Sequence, residues 1–188
     1  MRGPTASAQA LPVASLPARA GRGLVNVVID TPKGSRNKYK LDPDTGLIKL
    51  SRILPAGMAF PHDFGFIPHT LADDGDALDV LVIVHAPSFA GCLMQVKLLG
   101  LQRGVQREGR RWIRNDRLVG VPVTATNDPE FQALRDVPRS WFEEIRHFFV
   151  AYNHAQGRAY RPENLLGPAA ADKALRTAEA RYRKEGEG

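Results

Sequence analysis

Apolar positions along this chain keep a strand-like pattern as far as about Val123 and then switch to helical spacing. Leu24 to Ile29 is apolar and β-branched, which predicts a strand. Lys38-Tyr39-Lys40-Leu41 and Leu47-Ile48-Lys49-Leu50 alternate polar and apolar residues around Asp42-Pro43-Asp44-Thr45-Gly46. That intervening turn chemistry makes the pair a hairpin. Val80–Val84 reads as a buried strand, and Met94–Leu101 and Leu118–Val123 as two more, separated by a polar, arginine-rich stretch. About five strands joined by turns suggest a small closed sheet.

In the last third, Trp141, Phe142, Ile145, Phe148, Phe149 and Tyr152 recur at helical spacing. Ser140 followed by Glu143 predicts a capping box at the helix start. A weaker helix is predicted over Ala171 to Lys184, with Ala171, Ala174, Leu175, Ala178 and Tyr182 on one face. No internal repeat is visible. The expected fold class is α+β, mainly β: a five-stranded β-barrel flanked by two C-terminal helices.

At 188 residues the chain is long enough for one domain with a good core. We expect residues 1–23 to form a flexible tail, because Ala, Pro and Gly dominate there, and 24–188 to form a single domain. The tail has arginines and no acid, but Pro4, Pro12 and Pro17 oppose the amphipathic helix of a transit peptide. It also lacks the continuous apolar run of a secretory signal. No apolar stretch approaches the roughly 18–20 residues of a membrane span. A single cysteine, Cys92, excludes an internal disulfide and suits a reducing, cytoplasmic compartment. It reads as a core residue. The net charge of +6 favours anionic partners without choosing among them.

The chemistry concentrates in Asp74-Gly75-Asp76-Ala77-Leu78-Asp79, three carboxylates in a turn entering the strand Val80–Val84. Clustered carboxylates repel one another, and hard cations held by oxygen ligands are the usual reason for the arrangement. An EF-hand does not fit: with Asp74 first, Asp79 falls on the turn glycine and His85 on the bidentate Glu. Two readings remain, a Mg²⁺-type site completed by substrate phosphate, and a solvated acidic loop. Other polar residues fall at nearby strand ends. Asp30 ends the first strand, Lys38 and Lys40 share a hairpin face, and Arg52 follows the hairpin. The aromatic stretch from Met58 to Leu71 reads as an ordered loop over a site.

These residues resemble the soluble family I inorganic pyrophosphatases. Asp74, Asp76 and Asp79 match the family's Asp-x-Asp-x-x-Asp signature. Val27 to Pro32, Lys38-Tyr39, Gly46, Phe64 to Leu71, His147-Phe148-Phe149 and Tyr152 extend the match over roughly 24–160. The resemblance implies an OB-like barrel, a homo-oligomer, and Mg²⁺-dependent hydrolysis of a small phosphoanhydride, pyrophosphate. It implies metal ligation by Asp74, Asp79, Asp76 and Asp30, with Asp76 catalytic, either accepting the proton of the attacking water or holding the nucleophile in place. Lys38, Arg52, Arg117 and Tyr152 would hold phosphate oxygens.

The chain departs from that pattern at several positions. Asp30 replaces a usual Glu, Lys40 replaces an acid, Phe66 replaces a tyrosine and Asn153 a lysine. Between Gln102 and Leu118, where the family has two further metal-binding aspartates and a lysine, stand six arginines. Alignment back from Val119 puts Arg117 on the lysine and Asn115 on the second aspartate. Asp116 would serve only after a one-residue slip, which turns a strand side chain to the other face. Glu108 is a possible stand-in for the first. Fewer carboxylates and more cations predict a lower dependence on multiple metals and slower turnover. The alternative is a non-catalytic or altered-specificity paralogue that binds a phosphate-rich polyanion on the same barrel. Single-stranded nucleic acid is disfavoured, because Trp112 is the lone aromatic among the basic residues.

Overall fold

The computed structural model describes residues 13–124 and 131–186. Its strands are β1 (Arg19–Gly21), β2 (Leu24–Thr31), β3 (Asn37–Leu41), β4 (Ile48–Ile53), β5 (Asp63–Phe66), β6 (Asp79–Val82), β7 (Leu93–Glu108), β8 (Arg111–Arg114), β9 (Arg117–Pro122) and β10 (Tyr160–Leu166). Helix α1 (Arg139–His154) precedes β10, and α2 (Pro168–Gly186) follows it.

Five strands close on themselves. β2 pairs with β5, β5 with β6, β6 with β9, β9 with β7, and β7 returns to β2. Only the β6–β9 pairing is parallel. The expected OB-like barrel with two C-terminal helices is the observed architecture. The hairpin β3–β4 forms its own two-stranded sheet beside β2.

Side-chain alternation along β6 explains its unbroken apolar run. Val80 and Val82 enter a cluster with Val27, Ile29, Val96 and Leu118, capped by Ala171, Leu175 and Ala178 of α2. Leu81 and Ile83 enter a second cluster with Leu99, Val119, Phe60 and Phe64, packed by Phe142, Ile145, Phe148 and Phe149 of α1. A strand buried on both faces carries no polar alternation. Gly65 permits the tight β2–β5 approach, since a Cβ there would stand 2.3 Å from the Val28 carbonyl oxygen.

The structure differs from the pattern-based expectation at four places. Packing starts before residue 24: β1 pairs with β2, Ala18 is buried, and Arg19 bonds Glu179 and Asp172 on α2. Residues 1–12 lie outside the described residues. The arginine-rich stretch is a continuation of β7 that turns into β8. Its buried positions are Gln102, Gly104 and Gln106, so the inward face is polar and gives no hydrophobic signal. Part of the expected loop over 58–71 is β5, buried along its length. Helix α1 begins after Pro138 with no side-chain cap, and Ser140 sits inside its first turn, so the Ser140–Glu143 capping box does not form. Proline presets the backbone there and lacks an N–H, which makes it compatible with a helix start.

His62 is buried against the Trp141 ring. Burial, together with the Lys33 charge, lowers its pKa from 6.5 to about 4. The unfolded ring binds its proton below about pH 6.5, the folded ring only below about 4. Between these values the unfolded state holds more protons, so stability falls as pH falls. The loss amounts to about 3 kcal/mol by pH 4. Urea denaturation of His62→Phe between pH 7 and 4 is expected to show a shallower decline than the parent; parallel declines would contradict the assignment.

Candidate active site

The acidic turn is held from below by Thr70, whose hydroxyl donates to the Ile67 carbonyl (2.6 Å) and accepts from the Leu78 N–H (2.9 Å). Ala72 N–H bonds the Asp76 carbonyl at 2.8 Å, and Gly75 adopts a φ of 84°, a conformation glycine takes without strain. The turn delivers Asp74, Asp76 and Asp79 to the entry of β6.

Each expected site residue has a definite place. Asp30, at the end of β2, and Lys38, on β3, are both buried and bonded to each other at 2.8 and 2.9 Å. Burial raises the Asp30 pKa while Lys38 opposes the shift. The Lys38 ammonium also lies 4.3 Å from the Phe64 ring centroid. Two residues along β3, Lys40 donates to Asp76 Oδ2 at 2.6 Å. Burial works against the Lys40 charge, but the hydrogen bond and the charges of Asp76 and Asp79 hold its pKa above the ordinary value.

Arg117, on β9, is buried and faces Asp79 at 3.9 Å. Its guanidinium lies 3.9 Å from the Phe149 ring centroid and 4.8 Å from that of Tyr160, and its Nε has no hydrogen-bond partner. Aromatic faces attract and orient a guanidinium. Although the Asp79 side chain is 29 % accessible at the mouth of the site, protein surrounds it on its other sides. Desolvation pushes its pKa to about 7, with Asp74 and Asp30 adding to the shift and Arg117 and Lys38 opposing it.

Asp74 is also raised, chiefly by burial. Its Oδ2 accepts from Asn115 Nδ2 at 3.0 Å. The same nitrogen donates to Gln106 Oε1 at 2.8 Å, and Gln106 donates to Glu108 at 2.8 Å. Sequence reasoning missed Gln106; its signal was a polar residue at the inward positions of β7. Asp116 points elsewhere, accepting from the Gly104 N–H at 2.9 Å and pairing with Arg103 and Arg114. Glu108 is engaged by Gln106 and Arg158.

Arg52 and Tyr152 stand at the rim. Arg52 is exposed on β4, in register with Lys38. Tyr152 is half-buried on α1, packed on Phe60 and Phe148, with its phenol pKa raised chiefly by burial. Arg52, Asp79 and Arg117 all act on that phenol electrostatically. Direct bonds therefore join Asp30 to Lys38, Asp76 to Lys40 and Asp74 to Asn115, with Arg117 facing Asp79. Arg52 and Tyr152 are linked to the cluster by charge alone.

The donor set fits one hard cation. Asp74 and Asp79 repel each other and both resist ionisation, a cost that a cation between their oxygens would relieve. It does not fit several. Lys40 occupies Asp76 and an amide stands on Asp74. No group of three or more His, Cys, Asp or Glu that could hold a metal occurs among the described residues, so even one ion would need water or substrate oxygens to complete its shell.

The family described as inorganic pyrophosphatase matches residues 27–183. The inorganic pyrophosphatase of Geobacillus stearothermophilus is 36% identical over 162 residues, 86% of this chain and 96% of that protein. That of Streptomyces coelicolor is 38% identical over 165 residues, 86% of this chain and 97% of that protein. The crystal structure of the Thermus thermophilus inorganic pyrophosphatase superposes with a TM-score of 0.81 at 36% identity, covering 92% of this chain and 99% of that one. The Neisseria gonorrhoeae inorganic pyrophosphatase gives 0.83 at 28% identity, covering 91% and 98%.

The Asp30–Lys38 pair supplies a direct test of the site's electrostatics. Lys38→Met leaves a buried carboxylate without its partner and is expected to destabilise the fold by about 3–5 kcal/mol. Adding Asp30→Leu removes the orphaned charge and is expected to restore most of that loss. Urea denaturation of both variants measures the coupling; additive effects would show that the two side chains do not depend on each other.

Proposed function

We infer, since the chain belongs to the inorganic pyrophosphatase family, that it hydrolyses pyrophosphate to two orthophosphates at the cluster around Asp74, Asp76 and Asp79. The observation that carries this reading is the alternation of carboxylates with Lys40 and Arg117 at one end of the barrel. A pure anion-binding surface gains nothing from carboxylates, which repel a polyanion. Their retention supports catalysis over the non-catalytic alternative.

Asp74 and Asp79 would hold the metal ion on which the family depends, and their hard oxygen donors favour Mg²⁺. Such an ion supplies a Lewis acid that offsets phosphate charge and acidifies water. The chain's own residues do the rest. Arg117, fixed between Phe149 and Tyr160, presents a rigid cation suited to two phosphate oxygens. Lys40 brings a second cation to the same anion. Asp76 accepts the proton of the attacking water. Lys38, Arg52 and Tyr152 complete the surround of the phosphates, Lys38 from beneath and the other two from the rim. Preorganised charge of this kind is the main catalytic resource in phosphoryl transfer.

We place the chain in the cytoplasm, which its single free cysteine supports. Among the described residues no helix is long and apolar enough to cross a membrane. Exposed Leu47, Leu50 and Ile53 on the β3–β4 hairpin support assembly into a homo-oligomer.

Orthophosphate release from pyrophosphate across a Mg²⁺ titration tests the activity. Metal-dependent turnover is expected, with Asp76→Asn reduced by about 10²-fold or more. Equal turnover in a folded Asp76→Asn protein would remove Asp76 from the chemistry. No release with any divalent metal would overturn the reading itself.

A further inference from the structure

Three of the four carboxylates in the cluster already face a cation of the protein: Asp30 meets Lys38, Asp76 meets Lys40 and Asp79 meets Arg117. The fourth, Asp74, receives an uncharged amide donor from Asn115. We propose that Lys40 and Asn115 occupy the positions where further divalent ions would need carboxylates, so that this site binds a single divalent ion and meets the remaining charge of pyrophosphate with its own ammonium and guanidinium groups. The inference deepens the function proposed above and rests on it.

Charge sets the first limit. A site whose anionic groups are largely neutralised from within has little net charge left to hold dispersed Mg²⁺ ions, whose dehydration is costly. Lys40 sets the second. At 2.6 Å from Asp76 Oδ2 its ammonium fills the space a cation on that oxygen would take, and two positive charges cannot share it. Asn115 sets the third. Its Nδ2 donates both to Asp74 and to Gln106 Oε1, and Gln106 is itself oriented by donating to Glu108. This buried relay fixes the donor end of the Asn115 amide toward the site, where a metal requires an acceptor.

The cations that take over are poised for an anion. Arg117 is buried with its Nε lacking a hydrogen-bond partner, so a phosphate oxygen would satisfy a donor that the fold leaves unmet. The Lys40 side chain is half exposed, and its flexible stem can carry the ammonium from Asp76 to a phosphate oxygen. That movement would also free Asp76 as the anion arrives, so Lys40 acts as a positioning residue for Asp76 as well as a charge on the substrate.

The experiment counts ions without turnover. Metal-stripped full-length protein is titrated with Mn²⁺, and free Mn²⁺ is followed by electron paramagnetic resonance. The parent is expected to bind about one tight ion per chain. Lys40→Glu and, separately, Asn115→Asp are each expected to raise the count by about one, because each supplies a carboxylate in place of a blocking donor. A merely structural role for either residue would leave the count unchanged or lower it. Two or more tight ions in the parent, or an unchanged count in both folded variants, would overturn the proposal. Circular dichroism checks folding, and the parent count decides the question if both variants misfold. Failure of pyrophosphate hydrolysis alongside a count of one would overturn the proposed activity while leaving the single-ion site in place.

Discussion

Four carboxylates brought to one end of a barrel repel each other, and the neighbouring structure is arranged around relieving that repulsion. Bare, the cluster would cost several kcal/mol per buried charge. Each carboxylate instead has a specific partner: Lys38 on Asp30, Lys40 on Asp76, Arg117 opposite Asp79, and the Asn115 amide on Asp74. The relief is incomplete at Asp74 and Asp79, whose pKa values stay raised by burial. That remaining unfavourable charge is what a bound cation would relieve.

The barrel makes these pairings possible by register. Asp30 lies on β2, and Lys38 and Lys40 lie on the adjacent hairpin two residues apart, so successive side chains on one face meet Asp30 and then Asp76. The β6–β9 pairing sets Val80 opposite Leu118, which places Asp79 and Arg117 at neighbouring strand starts. Helix α1 contributes the aromatic wall that fixes Arg117 through Phe149, and β10 contributes Tyr160. Phe149 also packs in the core against Phe64. The core and the site therefore share side chains, and a packing change in α1 would reach the Arg117 guanidinium.

Elements that announce themselves through apolar periodicity were legible in the sequence: β2, β6, the hairpin β3–β4 and both helices. The Asp74–Asp76–Asp79 signature was legible for the same reason, being local. The extension of β7 through Gln106 was not, because its inward face is amide rather than apolar. β10 was hidden by Pro162 and by having only Tyr160 buried. The start of α1 is not legible, since Ser140 and Glu143 satisfy the capping pattern while Pro138 sets the boundary. Within the site, a charge reversal at Lys40 and an amide at Asn115 are legible, but not that both bond the signature aspartates. Those contacts join residues 36 and 41 positions apart, and only the closed barrel brings them together.

If protein cations stand where additional metals would otherwise bind, the number and place of bound ions should show it. Crystals grown with Mn²⁺ and a non-hydrolysable pyrophosphate analogue test it most directly through the anomalous signal of manganese. One anomalous peak is expected, at Asp74 and Asp79, with the Lys40 ammonium and the Arg117 guanidinium on analogue oxygens. A manganese peak beside Asp76, with Lys40 swung into solvent, would contradict it.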